Sequence, residues 1–179
     1  MELKEKLIKT DTIYNGKIFD VQQRTIELPD GRQTVYDIVK NPNACAVVAL
    51  DDDDNVVMVR QFRQSAGKVL LEIPAGKIDG GEDPDTCASR ELSEETGYSA
   101  DKIDRLFGIR VSPGFSTEII YIYEAYGLTL GATNFDEDEF IEMEKVPLKT
   151  LHEMILKGEI EDAKTISGIL AVYNKKYGL

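Results

Sequence analysis

The chain has 179 residues, 42% hydrophobic and 30% charged, and its 21 Lys and Arg against 33 Asp and Glu give a formal net charge of −12. That length suits one domain, able to bury roughly two-thirds of its unfolded surface. The acidity argues against DNA or RNA as the main partner, because polyanion binding draws on a surplus of cations; a small phosphate ligand held by local cations or a metal stays open.

Met1–Lys6 carries no apolar signal core. Lys17–Leu28 alternates loosely, with Ile18, Val21 and Ile26 among polar residues, and Pro29-Asp30-Gly31-Arg32 is a turn from which Val35–Lys40 returns as the second arm of a β-hairpin. Asn41-Pro42-Asn43 then marks a boundary, dividing an N-terminal hairpin region, 1–42, from a main domain, 43–179. Ala44–Leu50 and Val56–Arg60 read as buried strands joined by the acidic tip Asp51-Asp52-Asp53-Asp54-Asn55, which lacks the Gly and distal Glu of a calcium loop. The run Ala44–Leu50 is the longest apolar stretch, far short of the ~20 residues needed to cross a membrane. Another strand, Val69–Ile73, precedes a Gly-rich loop and a helix over Pro84–Thr96. Strands follow near Leu106–Val111, Glu118–Tyr126 and Phe140–Val146, and two helices, Leu148–Lys157 and Asp162–Tyr177, come last. There is no low-complexity tract or internal repeat, and this order predicts α+β layers around one core. Cys45 and Cys87 lack disulfide-framework or metal-ligand spacing and read as reduced, packed residues of a cytoplasmic protein.

The informative stretch is Gly76–Tyr98, G-K-I-D-G-G-E-D-P-D-T-C-A-S-R-E-L-S-E-E-T-G-Y. Asp83 suits the N-cap of its helix, Pro84 the first helical position, and Gly97 the left-handed residue past the end. At about 100° per residue, Glu91 and Glu95 stack one turn apart beside the apolar face of Ala88 and Leu92. Like charges so placed cost a few tenths of a kcal/mol, a sign that a divalent cation between them would reverse. Oxygen ligands suit hard ions, magnesium or manganese.

The pattern resembles the box of the Nudix family, G-x5-E-x7-R-E-U-x-E-E-x-G-U with U bulky and apolar. Gly76, Glu82, Arg90, Glu91, Leu92, Glu94, Glu95 and Gly97 all stand at the required spacing. Tyr98 departs from it, an aromatic where an aliphatic is usual. The lead-in Leu71-Glu72-Ile73-Pro74-Ala75-Gly76, and Pro113 at sixteen residues after Gly97, look like those of ADP-ribose pyrophosphatases.

The resemblance implies an α/β/α sandwich with a mixed sheet, and hydrolysis of ADP-ribose to AMP and ribose 5-phosphate by water activated by divalent ions and a loop glutamate. It implies metal ligands Glu91, Glu95, Glu139 and the main-chain carbonyl of Ala75, with Glu94 for an additional ion and Arg90 orienting the glutamates. Glu137 matches the base, in a loop, Asp136-Glu137-Asp138-Glu139, where Asp136 and Glu139 are open alternatives. Arg63 would meet a phosphate, Glu118 the terminal ribose, and Lys77 and Gly114 would line the same pocket; Phe19 and Tyr36 are candidates for stacking the adenine. The N-terminal region implies exchange between the subunits of a homodimer. GDP-mannose is the alternative substrate. A different class, a sensing module that binds ADP-ribose without cutting it, would be expected to have lost a box glutamate, and this chain keeps them all.

Overall fold

The computed structural model describes residues 3–131 and 140–178. The chain divides into two compact units, Met1–Asn43 with Arg110–Ile119, and Ala44–Ile109 with Ile120–Leu179.

The first unit is built on a three-stranded antiparallel meander, β1 (Lys6–Asn15), β2 (Asp20–Glu27) and β3 (Gln33–Lys40). The β2–β3 hairpin turns where expected, with Gly31 at φ 83° and the Arg32 N–H donating to Asp30 Oδ1 at 3.1 Å. Strand β1 extends the expected hairpin to three strands. Its register slips between Leu7 and Lys9 and again between Thr12 and Tyr14, and such bulges erase the period-two pattern by which a strand is read. Segment 110–119 is tied to β3: the Val39 N–H donates to the Phe115 carbonyl at 2.7 Å, and the Thr117 N–H to the Val39 carbonyl at 3.0 Å. The boundary residue Asn43 accepts the Ile119 N–H on its Oδ1 at 3.1 Å.

The second unit holds the remaining elements: β4 (Ala44–Ala49), β5 (Asn55–Arg63), β6 (Lys68–Glu72), β7 (Ala75–Lys77), α1 (Pro84–Thr96), β8 (Tyr98–Arg110), β9 (Ile119–Leu130), β10 (Ile141–Pro147), α2 (Leu148–Leu156) and α3 (Ala163–Tyr177). One sheet runs β7-β4-β9-β8 and is mixed, β4 pairing parallel with β9 and antiparallel with β7; the other runs β10-β5-β6. Every residue of β4 is buried because both of its faces are covered. Cys45, Val47 and Ala49 pack with Cys87, Ala88 and Leu92 of α1; Ala46 and Val48 pack with Leu148 and Leu151 of α2 and Ile169 and Val172 of α3. This is the α/β/α sandwich. Gly168 sets the spacing of α3 on the sheet, since a Cβ there would lie 2.8 Å from Val48 Cγ2.

Two differences from the sequence reading stand in this unit. The Gly-rich loop contains strand β7, paired to β4 from Ala44↔Lys77 to Ala46↔Ala75. Strand β8 also starts eight residues earlier than expected, because as the edge strand of its sheet it carries Ser99, Lys102 and Asp104 and shows no apolar alternation. The acidic segment Asp51–Asn55 is a hairpin tip: Asp51 Oδ1 accepts the N–H groups of Asp53 and Asn55 at 3.0 and 2.9 Å.

Candidate active site

The site is built where α1 crosses β7. Helix α1 begins and ends as its sequence dictates. Asp83 accepts the Asp85 N–H at 2.9 Å, Pro84 opens the helix, and Gly97, at φ 72°, returns its N–H to the Ser93 carbonyl at 2.8 Å. The buried side of the helix is Cys87, Ala88 and Leu92, and Tyr98 packs in the same cluster, so the aromatic departure from the box is a core residue.

That seating brings two carboxylates onto the backbone of β7. Glu95 is 5% exposed and its Oε2 accepts the Ala75 N–H at 2.9 Å. The Glu91 carboxylate lies over Gly76 so closely that a Cβ there would stand 1.9 Å from Glu91 Cδ and Oε1. Gly76 is thus a cradle for a carboxylate, and residues 75–76 are bracketed by two of them. Beside them, Arg90 gathers the rest of the box. Its Nε and Nη2 donate to the two oxygens of Glu82, both at 3.0 Å, and its Nη1 donates to Glu91 Oε1 at 2.8 Å and Glu94 Oε2 at 2.7 Å. Nη2 also donates to the Lys77 carbonyl at 3.1 Å. The Glu82 fork first, then Glu94 and Glu91, push the guanidinium above its usual pKa, while Arg90 holds the Glu82 carboxyl below its own. Three carboxylates, Glu82, Glu91 and Glu94, thus share the Arg90 guanidinium.

This donor set fits a hard divalent ion: oxygen atoms only, negative charge in excess, and a glycine that admits Glu91 against the chain. Among the described residues no three His, Cys, Asp or Glu side chains converge as a metal group. Of the expected set, one member is a main-chain carbonyl and another, Glu139, lies with Glu137 outside the described residues.

Arg63, at the end of β5, is held side-on by Glu72, Nε to Oε1 at 2.7 Å and Nη2 to Oε2 at 2.8 Å. Burial alone would raise the Glu72 carboxyl; the hydrogen bond from Arg63 and the charge of Lys164 outweigh it and hold the group at about 2. In return Glu72 raises the Arg63 guanidinium, and Glu95 adds to that rise, so Arg63 lies within electrostatic reach of the box. The sequence reading does not single out Glu72 as a partner of Arg63. A lone carboxylate in Val-Leu-Leu-Glu-Ile was its signal.

Lys77 closes β7 with an exposed side chain. Gly114 and Glu118 belong to the first unit, on segment 110–119; a Cβ at Gly114 would meet open space, and the Glu118 N–H donates to Ser116 Oγ at 3.2 Å. Phe19 and Tyr36 are exposed residues of that unit. The Cys87 thiol is fully buried, and its Cys45 neighbour and that burial push its pKa up, away from the thiolate form. Among the described residues no helix is long and apolar enough to cross a membrane.

Known proteins resemble this chain over most of its length. An ADP-ribose pyrophosphatase of Bacillus subtilis (strain 168) is 40% identical over 93% of this chain and 91% of its own length. A methanol dehydrogenase activator of Bacillus methanolicus is 41% identical over 92% and 90%, and a GDP-mannose pyrophosphatase of Yersinia pestis (strain Pestoides F) is 34% identical over 75% and 72%. The crystal structure of an ADP compounds hydrolase superposes with a TM-score of 0.88 at 23% identity, covering 99% of this chain and 97% of that one, and so shares the fold. The NUDIX domain model matches residues 40–168, and with the box seated on β7 as described, the chain belongs to the Nudix family of hydrolases.

Proposed function

We propose that the chain is a divalent-metal-dependent pyrophosphohydrolase whose substrate is ADP-ribose, released as AMP and ribose 5-phosphate. The observation that carries this reading is the bracketing of residues 75–76 by Glu91 and Glu95. Glu91, Glu95, Glu139 and the Ala75 carbonyl hold the ion, magnesium or in its place manganese, with Glu94 available to a further one. Such an ion, when bound, neutralises charge developing on the pyrophosphate and lowers the pKa of a coordinated water. Arg90 keeps Glu82, Glu91 and Glu94 oriented between turnovers. Glu137 accepts the proton of the attacking water. Arg63 takes a phosphate oxygen, and Lys77, Gly114 and Glu118 serve the ribose end. Region 1–42 precedes the Nudix domain, 43–179, and pairs two copies into a homodimer, a role supported by the exposed Leu7, Ile8, Ile13 and Ile18 of the first unit.

The test is product analysis of purified protein with magnesium and ADP-ribose beside GDP-mannose, diadenosine polyphosphates and dNTPs. AMP and ribose 5-phosphate formed fastest from ADP-ribose, and lost in Glu95→Gln, support the reading. Intact ADP-ribose with GDP-mannose cleaved overturns the substrate, and the Yersinia relative favours that second reading. Binding of ADP-ribose without cleavage of any substrate overturns the mechanism. The Bacillus methanolicus relative adds a use to examine with the same preparation, activation of a methanol dehydrogenase.

A further inference from the structure

Arg63 is anchored by residues that lie outside the box. The Glu72 Oε2 that receives Arg63 also accepts from Lys164 Nζ, in the first turn of α3. Lys164 Nζ donates as well to Asp162 Oδ2 at 3.0 Å. Asp162 is the N-cap of α3 and accepts from the Thr165 N–H at 3.0 Å and the Thr165 hydroxyl at 2.6 Å. The Thr165 oxygen accepts the Ile73 N–H at 2.9 Å, which closes the circuit beside Glu72.

The order of charges along this chain is Arg63 positive, Glu72 negative, Lys164 positive, Asp162 negative. Arg63 is the most open member of the chain: its side chain is 38% exposed, against 2% for Glu72, 10% for Lys164 and 18% for Asp162. Stability does not call for such an arrangement, since buried ion pairs replaced by packed apolar side chains are often neutral or better. Two consequences bear on a ligand instead. The Glu72 fork uses the Nε–H and one Nη2–H of a guanidinium that has five N–H groups, which leaves the Nη1–Nη2 edge with the fork geometry a phosphate requires. Glu72 alone would also cancel the charge of Arg63; Lys164 on the same carboxylate offsets that cancellation, and its own counter-charge, Asp162, is held at the α3 N-cap.

We propose that Lys164 and Glu72 are positioning residues for the substrate, fixing the Arg63 guanidinium in one orientation and keeping its charge available, so that its outward edge takes a phosphate of a nucleoside diphosphate sugar. This rests on the reading of Arg63 as a phosphate contact. The experiment is steady-state kinetics with ADP-ribose on Arg63→Ala, Lys164→Met and the double variant, with Lys164→Arg as the conservative replacement and thermal unfolding recorded for each. Arg63→Ala and Lys164→Met each raise KM about tenfold, more than they lower kcat. The double variant is no worse than Arg63→Ala alone, and Lys164→Arg recovers most of the loss. If Lys164→Met leaves KM within about twofold of the parent, or if the two losses multiply, Lys164 does not act through Arg63 and the proposal is overturned. If Arg63→Ala leaves KM unchanged while Glu95→Gln abolishes activity, the phosphate-contact reading has failed and takes the proposal with it. Should the Met variant fail to fold, Lys164→Gln, which keeps a donor for Glu72 without the charge, takes its place in the same cycle.

Discussion

Gly76→Ala tests the geometry of the site at one atom. The added Cβ would lie 1.9 Å from Glu91 Cδ and Oε1 and 2.1 Å from Oε2. Reaching even the shortest tolerated contact, about 3 Å, moves the carboxylate by roughly 1 Å, and a displacement of that size in a catalytic array costs on the order of 10²-fold in rate. The colliding atoms are the far end of a flexible side chain, so the fold gives way cheaply and stability falls by less than about 1 kcal/mol. The expected result is a loss of about 10²-fold in kcat, a raised magnesium requirement and a nearly unchanged Tm, measured by AMP release across a magnesium titration and by calorimetry. Gly80→Ala is the control, because a Cβ there meets nothing within 4 Å. In a Glu91→Gln background the alanine adds little, since the two changes act on one group. Wild-type kcat and magnesium dependence in Gly76→Ala would refute the assignment of Glu91 as a ligand placed against the chain. A collapse of Tm would refute the claim that the glycine serves the site and not the fold.

Glu95→Gln keeps an acceptor for the Ala75 N–H and removes the charge, so activity falls by at least about 10²-fold while the Tm stays close to that of the parent, read by product analysis and calorimetry. Gly168→Leu forces side-chain atoms into Val48, Ile73 and Ile122 and lowers stability by about 1–3 kcal/mol in urea unfolding without altering the magnesium requirement. Glu72 titrates at about 2 against an ordinary 4.5. Its contribution is therefore fully present above about pH 4.5 and is lost as pH falls toward 2; Glu72→Gln flattens that part of the acid stability curve, measured by unfolding at stepped pH. The Cys87 thiol, held protonated well above neutral pH and fully buried, resists iodoacetamide at pH 8 until the chain unfolds, and rapid alkylation of the native protein would contradict its placement.

What was legible in the sequence was local or strongly periodic. The bounds of α1, Pro84–Thr96, follow from a capping aspartate, a proline and a left-handed glycine within the segment itself. Strand β4 announces itself as an unbroken apolar run because both faces are covered. The grouping of Glu91, Glu94 and Glu95 was legible because it depends on a fixed spacing along one helix. Strand β1 was hidden by two bulges, and the first half of β8 by the polarity of an edge. The Lys164–Glu72 pair joins residues 92 apart in the chain, and nothing in local spacing links them. Nor did the motif state what Gly76 is for; only the fold shows which side chain occupies the place of its Cβ.

Two arginine–carboxylate forks serve the same short segment in opposite ways. Arg90 spends its donors inward, on Glu82, Glu91, Glu94 and the Lys77 carbonyl, so it shapes the carboxylate cluster and keeps like charges from repelling one another open. Arg63 is bonded along one edge, by Glu72, and that carboxylate is itself shared with Lys164, so charge and geometry remain at the outer edge. Between the forks run residues 72–77, whose backbone is pinned by Thr165 at Ile73, by the Val47 N–H at the Pro74 carbonyl and by Glu95 at Ala75. On the proposed function, an ion-binding end and an anion-binding end would thereby be mounted on one pinned strip, the relation that hydrolysis of a pyrophosphate would need fixed. Loosening either fork while leaving the strip pinned should harm one end alone: Glu82→Gln the magnesium requirement, Glu72→Gln the KM for substrate. If each variant instead shifts both quantities equally, the strip is not rigid and the two ends are coupled through it.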